Sequence, residues 1–230
     1  SWYWLTVLAL MILGTGTSLW HAPAFSELAI RYPKRRGFAM AAHSTGAQVG
    51  NTTAPATIGL LLGGISYLGV EWTGLGWRTV AFLLVIPAIL TVLVIGSRFK
   101  GKAAAGGKSL SLRSYAGAAG RLVGNPAVLA MALMHALRGA VHNSIQLFLV
   151  LYMSDVLNYS NLAIGIHVSL LTLAGIASTP VLGLLSDRFG RRPVIAFSMA
   201  AITVLVLVFL VAEDGWGLTV TMVVLGVFLF

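Results

Sequence analysis

GLLSDRFGRRPVI, Gly183 to Ile195, sets Asp187, Arg188, Arg191 and Arg192 between two apolar stretches. Leu162 to Leu185 before it and Val194 to Ala212 after it contain no charged side chain. A helix needs about 20 apolar residues to cross ~30 Å of hydrocarbon, so the charged run reads as a short turn joining two membrane spans. Within the turn, Gly183 permits close approach of a neighbouring helix. Asp187 stands four residues before Arg191, within reach of an ion pair where the segment is helical. Gly190 suits a tight reversal of the chain.

The same alternation of long apolar runs and short charged ones extends in both directions. Of 230 residues, 58% are hydrophobic and 9% charged, against about a quarter charged in soluble domains. Membrane strands need only about 10 residues each and alternate in polarity, which these runs do not, so an all-α membrane protein is expected. About seven candidate spans follow from the apolar runs: Trp4 to Ile30, Phe38 to Leu68, Thr79 to Ile95, Ala127 to Met153, Leu162 to Leu185, Val194 to Ala212, and Leu218 onward. The chain opens at Ser1 without a charged leader region and stops within its last apolar run, so it reads as an internal fragment of a longer protein. The absence of cysteine removes disulfide frameworks and thiolate metal sites from consideration.

The connections alternate in charge. Arg31, Lys34, Arg35 and Arg36 follow the first span; Arg98, Lys100, Lys102, Lys108, Arg113 and Arg121 follow the third; Arg188, Arg191 and Arg192 follow the fifth. Only Arg78 and Arg138 among the basic residues lie elsewhere. The positive-inside rule therefore puts residues 31–37, 97–125 and 186–193 in the cytoplasm, and the first span runs from outside to inside. The other connections carry Glu71, Asp155, and Glu213 with Asp214. A nucleic-acid-binding protein with this +9 charge would gather its cations on one face instead of sorting them by loop, so no nucleic-acid partner is expected.

The third connection is the one long one. Its GKAAAGG portion is small and flexible, while Leu110, Leu112, Tyr115 and Leu122 with Arg113 and Arg121 fit either a short helix on the membrane surface or a solvated linker. It divides the chain into residues 1–97 with three spans, a cytoplasmic loop at 98–125, and residues 126–230 with four.

The order Gly183, Leu185, Asp187, Arg188, Gly190, Arg191, Arg192 resembles the loop signature of the major facilitator superfamily, G-x-L-x-D-R-x-G-R-(R or K), which follows the second span of that family and recurs after the eighth. RYPKRRGFAMAAHSTGAQVG, Arg31 to Gly50, is similar to the family's passage from span four to span five, and GWRTVAFLLVIPAIL, Gly76 to Leu90, to its approach to span six. The resemblance implies a partial helical bundle, spans four to ten of about twelve, in a fold of two halves with substrate held between them. Ser18 to Gly46 resembles the branch that includes fosmidomycin-resistance-like exporters. The run from Gly50 to Gly59, with Pro55 inside it, is similar to the fifth-span signature of antiporters, with Ala54 and Ile58 standing where that signature has glycine. Its small residues at four-residue spacing also suit a tight helix seam.

MHALRGAVHNSIQ, Met134 to Gln146, places Arg138 about twelve residues from either end of its span, too far to snorkel to water. Such an arginine costs about 2.5–3.5 kcal/mol on insertion scales and faces a protein interior or a wet cavity. His135, Arg138, His142 and Gln146 recur at three- and four-residue spacing, along one helix face. This segment resembles the family's seventh span, a cavity-lining helix. Arg138 is assigned to substrate or to a coupling carboxylate; the alternative is a buried ion pair locking the two halves together. His21, Gln48 and Asn51 are further candidates for the cavity, with His43 and His167 as histidines that either pack or carry protons. Glu27 is expected to pair with Arg31.

No H-E-x-x-H, G-x-S-x-G or G-x-x-x-x-G-K motif is present, so no catalytic residues, cofactor or metal are expected. The reading is a secondary transporter of the cell membrane that moves a small anionic or polar solute by alternating access, with proton-coupled efflux as the mode and a monomer as the unit. The Gly183, Asp187, Arg188, Gly190, Arg191, Arg192 loop would gate it. A non-transporting membrane sensor on the same fold is the alternative.

Overall fold

The computed structural model describes residues 2–98, 112–211 and 215–229. Lys100, Lys102, Lys108 and Leu110 of the long connection, and the acidic pair Glu213 and Asp214, lie outside the described residues. Each expected span is helical, as a backbone that must satisfy its own N–H and C=O groups in hydrocarbon requires. The helices are α1 (Tyr3–Arg31), α2 (Arg36–Gly63), α3 (Trp77–Leu83), α4 (Val85–Arg98), α5 (Leu112–Val123), α6 (Pro126–Leu151), α7 (Asn161–Phe189), α8 (Arg191–Val211) and α9 (Trp216–Leu229).

Two boundaries differ from expectation. The second span was expected to reach Leu68, but α2 stops at Gly63, and an antiparallel hairpin of β1 (Ile65–Tyr67) and β2 (Val70–Trp72) follows. Gly64, Leu68 and Gly69 take positive φ values of 68°, 49° and 81°, left-handed conformations that end a helix and turn a hairpin. The third span is broken at Leu84 into α3 and α4. Pro87 explains the break, because it offers no N–H to the carbonyl of Leu83 and its ring crowds that turn.

Among the described residues, the segments Tyr3–Arg31, Trp77–Ser97, Asn161–Phe189 and Arg191–Val211 are long and apolar enough to cross a membrane. The pair Ala116–Val123 and Pro126–Val156, bent by 81°, meets the same measure only when the two helices are taken together, as a broken span or a re-entrant loop. α2 is long enough but carries Gln48, Asn51, Thr52 and Thr53 in its middle, and α9 has 14 residues. The protein is an integral membrane protein built of helices.

Backbone contacts divide it into two units, Ser1–Asn51 and Thr52–Phe230. In the first, α1 meets the opening turns of α2 through aromatic rings. In the second, Met153, Leu171, Leu218, Met222 and Leu225 are fully buried, joining the end of α6, α7 and α9 into one core. Close packing of α9 on α7 depends on Gly226, where a Cβ would run into the Leu171 carbonyl. Gly59 lies against the Asn161 carbonyl and Gly165 against the Pro55 carbonyl in the same manner, so the later part of α2 and α7 touch backbone to backbone.

The helix starts are fixed locally. The Ala127 N–H donates to Asn125 Oδ1 at 3.0 Å, with Pro126 at the first helical position, and the Ala163 N–H donates to Ser160 Oγ at 3.2 Å; both are side-chain N-caps. α6 ends in a π-helical turn, Tyr152–Val156, closed by the Leu157 N–H donating to the Tyr152 carbonyl at 3.1 Å.

Candidate functional site

The regular geometry of α6 puts His135, Arg138, His142 and Gln146 on one face. Arg138 and His142 are brought together at Leu229 of α9. Arg138 Nη2 donates to the Leu229 carbonyl at 3.1 Å, and His142 reaches the same residue's backbone while feeling the charge of Arg138. His135 lies exposed one turn before this pair and Gln146 half-buried one turn after it. The site is thus a cation and an imidazole held on one backbone position of a neighbouring helix.

The first unit holds the candidates His21, Gln48 and Asn51. His21 stacks on Phe25 with ring centroids 6.2 Å apart and planes at 19°. Phe25 in turn meets His43 edge-on at 5.3 Å, and Trp20 lies 6.1 Å from His43. Two histidines therefore share one phenyl ring. The i,i+4 spacing of His21 and Phe25 was open to a sequence reading; the approach of His43 from α2 was not. Asn51 Nδ2 stands 3.5 Å from Gln48 Oε1, at the long limit of a hydrogen bond.

The Gly183–Arg192 turn is a sharp reversal: α7 ends at Phe189, Gly190 has φ +92°, and α8 begins at Arg191. Asp187 and Arg191 do not form an ion pair, because the helix does not continue through Gly190 and their i,i+4 geometry is lost. Nothing described lies within 4 Å of where a Gly183 Cβ would stand. Arg188 lies 5.4 Å from the Phe189 ring centre. Among the described residues the ion pair is Arg31 with Glu27, as expected, at 2.9 Å on a well-exposed surface.

Polar bridges between helices are what the sequence left unread. His167 Nδ1 lies 2.8 Å from the Ala163 carbonyl, and Nε2 lies 3.0 Å from Thr219 Oγ1 on α9. Ser178 Oγ donates to the Val227 carbonyl at 2.8 Å, and the Ala56 N–H of α2 donates to Ser169 Oγ at 3.0 Å. Only the histidine carries a signal visible beforehand, as a titratable group inside a span. Among the described residues no three His, Asp or Glu side chains gather as a metal site needs.

Chemically, the α6 site offers a fixed positive charge with fork-shaped donors, suited to a carboxylate or another oxyanion. No solved structure matches the chain. A family model does match, over residues 1–230, and its description is Major Facilitator Superfamily.

Proposed function

The chain belongs to the major facilitator superfamily of membrane transporters, and on that premise we propose that it carries a small anionic or polar solute by alternating access. The observation that carries this reading is the partner of Arg138. A guanidinium has five N–H donors, and among the described residues it donates to the Leu229 carbonyl. A carbonyl supplies no negative charge. The cation is therefore left to attract an oxyanion, with His142 beside it as a further polar group, and His135 and Gln146 extend the face on either side. This favours substrate or coupling contact over the buried ion pair that was the alternative, since no described carboxylate lies within ion-pair range of Arg138.

In this reading two bundles, residues 1–97 and 126–230, are joined by the cytoplasmic segment 98–125 and rock about the site, with the protein acting as a monomer in the cell membrane. His21, Gln48 and Asn51 belong to the cavity of the first bundle. The turn of Gly183, Asp187, Arg188, Gly190, Arg191 and Arg192 fastens helix ends in one of the two states; it gates only because it binds those states unequally. The Gly50 to Gly59 run supports export, and protons are the coupling ion its histidines can carry.

The test uses full-length protein in proteoliposomes under an imposed proton gradient, with a panel of anionic and neutral solutes. One class of anion is expected to move, and Arg138→Gln to lose it while remaining folded. Normal transport by the variant would overturn the assignment.

A further inference from the structure

His167 sits near the start of α7, at the end away from the Gly183–Arg192 turn, and faces the first turn of α9. The atoms around it restrict where protons can be. A carbonyl oxygen only accepts, so His167 Nδ1, 2.8 Å from the Ala163 carbonyl, carries a proton. Nε2 then faces Thr219 Oγ1 at 3.0 Å, and Thr219 Oγ1 is also 3.2 Å from the Gly215 carbonyl. Thr219 has a single hydroxyl proton for those two contacts. With a neutral ring it either donates to Nε2 and gives up the Gly215 contact, or donates to Gly215 and leaves lone pairs of Nε2 and Oγ1 facing each other.

A second ring proton resolves this. Nδ1–H donates to Ala163, Nε2–H donates to Thr219 Oγ1, and the hydroxyl donates to Gly215, so all three contacts become hydrogen bonds running from α7 to α9. The neutral arrangement lacks the hydroxyl bond to Gly215, whose carbonyl still accepts the Thr219 N–H at 3.2 Å. Gly215 is also where the chain enters α9, with φ +101°, so the last bond in the relay adds a second donor to the carbonyl at the start of that helix.

We propose that His167 is a proton-binding site whose protonation ties the first turn of α9 to α7 through Thr219, and whose deprotonation loosens that tie. Histidine is the side chain that exchanges charge between about pH 5 and 8. The groups around it do not supply the counter-charge by direct contact. Tyr159 is its aromatic neighbour, with ring centroids 5.4 Å apart. α9 and the Thr52–Gly63 part of α2 hold no titratable side chain. In the π-helical turn Tyr152 packs edge-on against Phe209, and the Asp155 carboxylate accepts from Ser154 Oγ at 2.7 Å. α8 has Arg191 and Arg192 at its opposite end. α6 brings His135, Arg138 and His142, but Arg138 meets α9 at Leu229, about 15 Å along that helix from Thr219. Glu213 and Asp214, next to Gly215 in sequence, lie outside the described residues.

The test is hydrogen exchange of the full-length protein in nanodiscs at about pH 5.5 and about pH 8, after correction for intrinsic exchange rates. Peptides covering the first turn of α9 are expected to exchange about tenfold more slowly in acid, the effect of about one added hydrogen bond to a charged group. His167→Gln and Thr219→Val should each abolish that difference, and Thr219→Ser should keep it; the threonine variants serve if the histidine variant does not fold. Equal protection of the wild type at both pH values overturns the proposal, as does a difference that persists in Thr219→Val. No solute flux enters the measurement, so its failure is distinct from failure of the transport reading.

Discussion

The guanidinium of Arg138 on α6 and the backbone carbonyl of Leu229 on α9 meet at 3.1 Å. A cation in a membrane span is thereby held by a neutral group, which orients its fork without cancelling its charge.

Charge and fork are separable by substitution. Arg138→Lys keeps the charge and gives up the planar donors, so it should retain flux with weakened solute affinity. Arg138→Gln should lower kcat/KM by about 30-fold, the equivalent of about 2 kcal/mol for a lost charged hydrogen bond. Concentration-dependent uptake into proteoliposomes reads both. Equal loss in the two variants would show that geometry rather than charge is what matters.

Asp187 lies in the last turn of α7, just before the reversal at Gly190. If the turn stabilises one state of the transport cycle, Asp187→Asn should change the maximal rate several-fold and leave apparent affinity within about twofold. An unchanged rate at normal expression would sink the gate.

Two helical glycines should respond in opposite ways to the same methyl. Gly226→Ala drives a Cβ into the Leu171 carbonyl, and overpacking of this kind costs about 1–3 kcal/mol. Gly183→Ala meets open space, and the gain in helix propensity is about 0.5–1 kcal/mol. Thermal unfolding in detergent should show the first midpoint fall and the second hold or rise.

Asn125→Ala removes the side chain that receives the Ala127 N–H and should cost about 1 kcal/mol. Glu27→Gln breaks an ion pair whose two side chains are 53% and 45% exposed, where screening leaves ~0–1 kcal/mol. The same unfolding assay should separate them, and a larger effect at Glu27 would point to a partner beyond Arg31.

What the sequence revealed and what it hid divide along a physical line. Apolar runs located the helices because burial in lipid leaves no choice of element, although α2 lacks the apolarity and α9 the length of a span, and Gly190 announced the reversal because a φ of +92° suits little else. Pro87 and Gly64 carried the signals for the break between α3 and α4 and the early end of α2, but apolar length concealed them. Contacts between distant segments were not legible. Nothing local to Arg138 names Leu229, since every residue offers the same carbonyl, and the pairing of His167 with Thr219 depends on how α7 and α9 align. The charge spacing of Asp187 and Arg191 misled because it assumed a helix that Gly190 ends.

The seam between Gly59 on α2 and Asn161 and Gly165 on α7 has peptide backbone on both sides. Interlocked side chains must change rotamer before two helices can slip past one another, whereas bare backbone has nothing to unlock. This seam is suited to sliding, with the Ala56 to Ser169 hydrogen bond as its nearby stop. A single methyl at Gly59 would act as a wedge and turn a bearing surface into a fixed joint.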